Sequence, residues 1–168
     1  QSQSRIIVPK FPGSRISSKA TTNPLVSIRV ACGILKIAKQ NLRKKIGFLG
    51  VTFKANTDDM REAPSLVLID KILNAGGKIV AYDPVASHET QRILGDKITY
   101  VDGPYKAIDQ SDALLIVTEW AEFRVPDFDK LKSLLNAPVV FDGRNLYNPE
   151  AMKERGFAYF CIGINTLK

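Results

Sequence analysis

The chain is poor in sulfur, carries one histidine and has no negative charge over its first third. Cys32 and Cys161 are its only cysteines in 168 residues. Two thiols cannot build a disulfide framework, and without a CxxC pair nothing suggests a zinc site. A reducing, cytoplasmic setting is the simplest expectation. No Ser/His/Asp or Cys/His arrangement for nucleophilic catalysis can be read from the body of the chain. The lone His88 follows the Asp83-Pro84 turn and is expected at the surface. No apolar run reaches the 18 or so residues that a membrane-spanning helix needs.

The missing acids are informative because they are missing from one part only. The first acidic residue is Asp58, and residues 1–57 hold 11 of the 24 lysines and arginines. The other 111 residues carry 13 basic and 17 acidic side chains, a net charge of −4 within a chain of net +7. A basic arm therefore precedes a mildly acidic body. That argues against a uniformly basic nucleic-acid-binding domain. Residues 1–23 lack the apolar core of a secretory signal, and Pro9, Pro12 and Gly13 break any amphipathic targeting helix. The chain opens on Gln1 and not on Met, which suggests a fragment or a processed product.

Residues 1–24 read as a loosely structured arm. From Leu25 the apolar positions Leu25, Ile28, Cys32, Leu35 and Leu42 recur at helical spacing, which predicts a connecting helix over 25–43. Its single apolar stripe must pack on the body or on another chain. Beyond it, strands and helices alternate. Strands are predicted at 45–50, 78–82, 97–101, 113–117, 138–141 and 158–163, and helices at 64–75, 86–94, 103–110, 127–135 and 149–155. Pro64 suits a first helical position and Gly76-Gly77 a stop. Ala113-Leu114-Leu115-Ile116-Val117 is apolar throughout, as a strand buried on both faces requires. The pattern predicts an α/β fold over 44–168: a doubly wound, mostly parallel, Rossmann-like sheet with helices on both faces.

In such sheets ligands bind beyond the carboxyl ends of the strands, where the strand order reverses. With the usual order, strands one, four and five are neighbours there. Strand one is followed by Phe53-Lys54-Ala55-Asn56-Thr57-Asp58-Asp59-Met60-Arg61, strand four by Thr118-Glu119-Trp120, and strand five by Asp142-Gly143-Arg144-Asn145. Guanidinium forks match phosphate oxygens and flat rings stack on a base, so this set suits a phosphorylated, base-bearing ligand. Plainer roles exist for each residue. Asp58 and Asp59 can pair with Arg61 and shape the loop, Trp120 can be core, and Asp142 can orient Arg144. The spacing Gly47-x-x-Gly50 is not GxGxxG, and more than a dozen residues separate strand one from its helix. The ligand is thus expected to be gripped by side chains more than by a glycine turn.

The run from Phe48 through Lys54 and Arg61 to Ser65, together with Tyr82-Asp83-Pro84, Thr118-Glu119-Trp120 and Asp142-Gly143-Arg144-Asn145, resembles the UDP-glucose/GDP-mannose dehydrogenase family. The resemblance covers residues 44 to about 163 and is to the C-terminal, UDP-binding domain. Within the family, the last two elements look most like the members that oxidise UDP-glucose. Such enzymes convert the C6 alcohol to a carboxylate in two NAD-dependent steps, through a thiohemiacetal and a thioester on a cysteine. The resemblance implies that Phe53 and Lys54 line the nucleotide-sugar site, that Arg144 contacts that substrate, and that Arg61 reaches the NAD bound by another dinucleotide domain. It also implies a homo-oligomer for the full-length enzyme.

The departures define what this chain is expected to do alone. It has no GxGxxG turn and no glycine-rich element carrying a nucleophilic cysteine, and neither Cys32 nor Cys161 is expected to serve as one. The chain should therefore bind a nucleotide sugar and oxidise nothing, with no catalytic residue and no metal of its own. Two other readings stay open: a non-catalytic nucleotide-binding or assembly module, and a dehydrogenase domain for UDP-N-acetylmannosamine or GDP-mannose. A polyanion held by the basic arm would reveal itself by steep salt dependence.

Overall fold

Six strands and five helices alternate along residues 44–61 and 63–162, the part of the chain that a computed structural model describes. They are β1 (Lys45–Leu49), α1 (Pro64–Asn74), β2 (Lys78–Tyr82), α2 (Ser87–Leu94), β3 (Thr99–Tyr100), α3 (Pro104–Ile108), β4 (Ala113–Ile116), α4 (Phe128–Leu134), β5 (Val139–Asp142), α5 (Pro149–Glu154) and β6 (Ala158–Cys161). The expected arm over 1–24 and the expected helix over 25–43 lie outside the described residues.

All neighbouring strands are parallel, in the order β3-β2-β1-β4-β5-β6. The chain winds outward from β1 to β3, crosses back to β4 and winds outward again, so the order reverses between β1 and β4. Right-handed crossovers then put the helices of the two halves on opposite faces, and the side chains follow. Leu68, Ile69 and Ile72 of α1 join Ile46, Phe48, Ile79, Ala81, Ala113 and Leu115 on one face. Ala107 and Ile108 of α3, Leu131 of α4 and Met152 of α5 join Leu49, Leu114, Ile116 and Val140 on the other. Strand β4 sends alternate residues into both clusters and is buried throughout, as its unbroken apolar run predicts.

Gly47 lets α3 lie close to the sheet. A Cβ there would sit 2.8 Å from the Ala107 carbonyl oxygen, so any side chain would push the helix away from β1. Two elements fall three residues short of their predicted lengths. Residues 95–97 form a 3-10 turn after α2 and leave β3 only Thr99 and Tyr100. The α3 pattern over 103–110 yields only Pro104–Ile108, because the backbone leaves the helical region at Asp109 (ψ 125°) and Gln110 follows in the left-handed region (φ 51°).

Candidate functional site

The ends of β1, β4 and β5 do lie side by side, and what leaves each end is fixed by polar contacts from elsewhere in the chain. The segment 50–61, which follows β1, starts buried and turns outward: Val51 and Thr52 are 1% exposed, Phe53 39%. Lys54 is exposed, and no ion pair among the described residues involves it. The change from buried to exposed within two residues has an identifiable cause in Asp83.

Asp83 follows β2 and is buried. Its Oδ2 accepts from the backbone N–H groups of Val51 (2.8 Å) and Thr52 (3.3 Å), from the Thr52 hydroxyl (3.3 Å) and from the Trp120 indole N–H (3.3 Å). Its Oδ1 accepts from the N–H groups of Val85 (3.1 Å) and Ala86 (2.9 Å) at the start of α2. One carboxylate thus ties the ends of β1, β2 and β4 together. The Thr118 hydroxyl adds a direct strut to the Thr52 carbonyl (2.6 Å), and the Ser65 hydroxyl donates to the Val51 carbonyl. Trp120 is a core residue, 7% exposed, which leaves Phe53 as the exposed ring of the site.

A second buried carboxylate, Asp142, organises the end of β5. Its Oδ1 accepts from the Arg144 N–H (2.8 Å), and its Oδ2 accepts from the N–H of Leu146 (2.7 Å), the N–H of Tyr147 (3.3 Å) and the Tyr159 hydroxyl (2.7 Å). Asn145 follows in the left-handed region (φ 55°), which asparagine tolerates better than most residues. Its side-chain amide donates to the Ile162 carbonyl (3.1 Å) and accepts from the Ile162 N–H (2.9 Å), locking the loop to the end of β6. Arg144 therefore leaves a rigid root. Its guanidinium, about one-third exposed, donates to Glu119 (2.7 Å) after β4.

Arg61 is engaged within the loop that carries Phe53 and Lys54. Its guanidinium forks onto Asp59 (3.0 and 2.9 Å), and Asp59 also accepts the Arg61 N–H (3.0 Å). The loop folds back so that Phe53 N–H donates to the Asp59 carbonyl (2.9 Å). Hydrogen bonding to Arg61 holds the Asp59 carboxyl down at about 2. Of the two aspartates, Asp59 makes the loop-shaping pair, and the arginine side chain is otherwise 89% exposed. A groove of about 670 Å³ lies between this loop and α2, lined by Asp59, Met60, Arg61, Glu89, Arg92 and Ile93 among others, and it includes none of Phe53, Lys54 and Arg144. This groove is thus lined by the Asp59–Arg61 end of the loop and not by Phe53, Lys54 or Arg144.

Tyrosines pin the same loops from below. Tyr147 O–H donates to the Phe123 carbonyl (2.6 Å), and Tyr159 serves Asp142. Burial pushes the phenol of Tyr82 up to about 12, with Glu122 beside it adding to the shift, and burial followed by Asp142 raises those of Tyr147 and Tyr159. These groups hold their protons more tightly folded than unfolded. Their contribution to stability is complete below the ordinary phenol value near 10 and is lost as pH rises from there through the folded values. Urea unfolding midpoints should hold up to about pH 10 and then fall steeply. Phenolate absorbance of the folded protein should lag behind that of the unfolded chain over the same window; superimposable titrations would refute the assignment.

Burial also raises the Cys161 thiol, the opposite of what a nucleophile needs; Cys32 lies outside the described residues. Among the described residues no cluster of three potential metal ligands occurs, and no helix is long and apolar enough to cross a membrane. His88 is exposed, as expected. Sequence reasoning singled out Phe53, Lys54, Arg61 and Arg144 but gave Asp83 no site role, only a turn after strand two and a place in the Tyr82-Asp83-Pro84 element of the resemblance. An aspartate between a strand and a proline is a usable signal, because a carboxylate there can cap the following turn. It does not reveal that the same carboxylate reaches β1 and β4.

Residues 47–149 match the model described as the UDP-glucose/GDP-mannose dehydrogenase family, UDP binding domain. The UDP-glucose 6-dehydrogenase of Pseudomonas aeruginosa is 43% identical over 125 residues, which is 71% of this chain and 28% of that protein. UDP-glucose 6-dehydrogenase TuaD of Bacillus subtilis is 36% identical over 153 residues, 91% of this chain and 33% of that protein. The structure of a UDP-glucose dehydrogenase from the hyperthermophilic archaeon Pyrobaculum islandicum superposes with a TM-score of 0.64 at 30% identity, covering 84% of this chain and 30% of that one. The chain thus spans about a third or less of the length of each.

Proposed function

Because the chain belongs to the UDP-glucose/GDP-mannose dehydrogenase family, as its UDP-binding domain, we propose that Phe53, Lys54 and Arg144 hold the UDP end of a nucleotide sugar across the ends of β1, β4 and β5. One observation carries the reading. Two cations of the right kind leave the ends of β1 and β5, the strands on either side of β4, on loops that buried carboxylates, Asp83 and Asp142, hold in place. Lys54 supplies a compact, mobile charge and Arg144 a planar fork, a pairing suited to the several oxygens of a diphosphate. The exposed Phe53 ring offers a face for the base or sugar. Preorganised roots mean that little ordering remains to be done when the ligand arrives.

UDP-glucose is the preferred ligand, because the relatives at 36 to 43% identity are named for it. Oxidation of that sugar is proposed for the whole protein, with NAD as hydride acceptor. The described residues do not themselves fit a dinucleotide: the sequence has no GxGxxG turn. The acid that ends β2, the position that serves a ribose in dinucleotide-binding sheets, is Asp83, and it is buried among donors of its own backbone. What this chain offers a cofactor held elsewhere is Arg61, exposed at the rim and oriented by Asp59. A reducing cytoplasm agrees with the half-buried free thiol of Cys161.

Isothermal titration of the chain with UDP-glucose tests the reading. Binding is expected without turnover, and Lys54→Ala and Arg144→Ala should each weaken it about tenfold, the worth of one charge-assisted contact. A titration without heat, or two variants that bind as the parent does, would leave the alternative of an assembly module that keeps the fold without the ligand.

A further inference from the structure

Glu119 lies between two arginines, and each of its oxygens serves one of them. Oε1 accepts from Arg144 at 2.7 Å and Oε2 from Arg124 at 3.4 Å. All three side chains are partly exposed, Arg124 the most at 55%. Arg124 follows the 3-10 turn Ala121–Phe123, whose Phe123 is buried and whose carbonyl is held by Tyr147 O–H (2.6 Å). Tyr147 belongs to the loop that Asp142 organises. The roots of both arginines are therefore tied to one frame, and the Glu119 carboxylate bridges them from a third loop.

We propose that Glu119 is a positioning residue for Arg144, and that Arg124 takes over its charge when Arg144 engages the diphosphate. The inference rests on the reading of Arg144 as a phosphate-side cation. Without ligand, Glu119 holds the Arg144 fork in one orientation. A diphosphate approaching that fork competes with the carboxylate and is repelled by it, since like charges at contact distance disfavour each other. The repulsion is removed if Glu119 shifts onto Arg124, already at the edge of hydrogen-bonding range. Arg124 thus aids anion binding without touching the anion. The arrangement makes a prediction that a purely structural role for Arg124 does not, because the benefit of Arg124 exists only while residue 119 is charged.

The test is a double-mutant cycle read by isothermal titration of the 168-residue chain with UDP. Arg124→Ala should weaken UDP binding about fivefold, the upper range for an exposed ion pair. Glu119→Gln keeps an acceptor for Arg144 and loses the charge, so Arg124→Ala should change nothing further in its background: Glu119→Gln and Glu119→Gln/Arg124→Ala should bind UDP within about twofold of each other, and both more tightly than Arg124→Ala. Rescue of Arg124→Ala by Glu119→Gln is the decisive result. If Arg144→Ala weakens binding while Arg124→Ala does not, or if the double variant binds as poorly as Arg124→Ala, this inference falls and the site stands. If the parent does not bind UDP, or Arg144→Ala binds like the parent, both fall.

Discussion

Replacing Asp83 by alanine is expected to cost the domain about 3 to 5 kcal/mol of unfolding free energy and to abolish measurable UDP binding. Six donors lose their acceptor at once, and most cannot reach water: Val51 N–H, both Thr52 groups, Trp120 Nε1–H and Ala86 N–H are buried bonds. A buried donor stripped of its partner costs more than a made hydrogen bond contributes, which is why the effect exceeds that of an ordinary surface change. Binding should fail with stability, since Thr52 is the residue from which Phe53 and Lys54 emerge. Asp83→Asn refines the test. The amide keeps one acceptor oxygen, but its NH2 must face either the Val51 and Thr52 donors or those of Val85 and Ala86. A loss of about 2 kcal/mol is expected for it. Urea denaturation of the three proteins measures the series, and an alanine variant within about 1 kcal/mol of the parent would show that water or rearrangement satisfies these donors.

The contrast between what Asp83 does and what its place in the sequence suggests marks where local reading stops. Hydrophobic periodicity is a local property, so the apolar run of β4, the amphipathic α1 and the glycine stop after it could all be read within windows of a dozen residues. Parallel topology followed from the alternation of elements, and topology alone brought Lys54 and Arg144 to the same end of the sheet, on the two strands that flank β4. The frame of the site is made differently. Asp83 meets Val51 across 32 residues and Trp120 across 37, and Glu119 meets Arg144 across 25. Nothing in the composition of either partner specifies such a pairing; it exists because the fold has already placed two loops together. The same holds for the shortened β3, where a 3-10 turn took Lys97 and the strand kept only Thr99 and Tyr100 of a β pattern over 97–101.

Charge is a further case in which the whole-chain value misdirects. A net +7 suggests a polyanion partner, yet the residues that matter at the strand ends are Lys54, Arg61, Arg124 and Arg144, and three of these four are held by carboxylates. Cations fixed by Asp59 and Glu119 give a site of small net charge and defined geometry. Such a site, if it takes a diphosphate as proposed, would select it by shape and by hydrogen-bond direction, where a basic patch selects by charge alone and loses its affinity in salt. Moderate salt should therefore reduce UDP binding less than it reduces any attachment of the basic arm to a polyanion.

Gly50→Ala should cost about 3 kcal/mol, from a single methyl group placed where the backbone and a neighbour both exclude it. Gly50 closes β1 with φ +78°, a conformation that costs an alanine about 1 kcal/mol or more before any contact is counted. The added Cβ would then lie 2.5 Å from the Thr118 Cβ and 2.9 Å from the Thr118 backbone nitrogen. Neither can yield cheaply: the Gly50 N–H is bonded to the Tyr82 carbonyl (2.9 Å), and the Thr118 hydroxyl is bonded to the Thr52 carbonyl (2.6 Å). Moving either strand end disturbs the frame that carries Lys54, so UDP affinity should fall together with the unfolding midpoint. Measuring Gly50→Ala in a Thr118→Gly background separates the two causes. Deleting the Thr118 side chain relieves the closest contact but leaves both the positive φ and the backbone nitrogen, so the alanine should still cost about half of its original penalty. An alanine that costs nothing there would assign the whole effect to the threonine side chain, and an undiminished cost would assign it to the backbone.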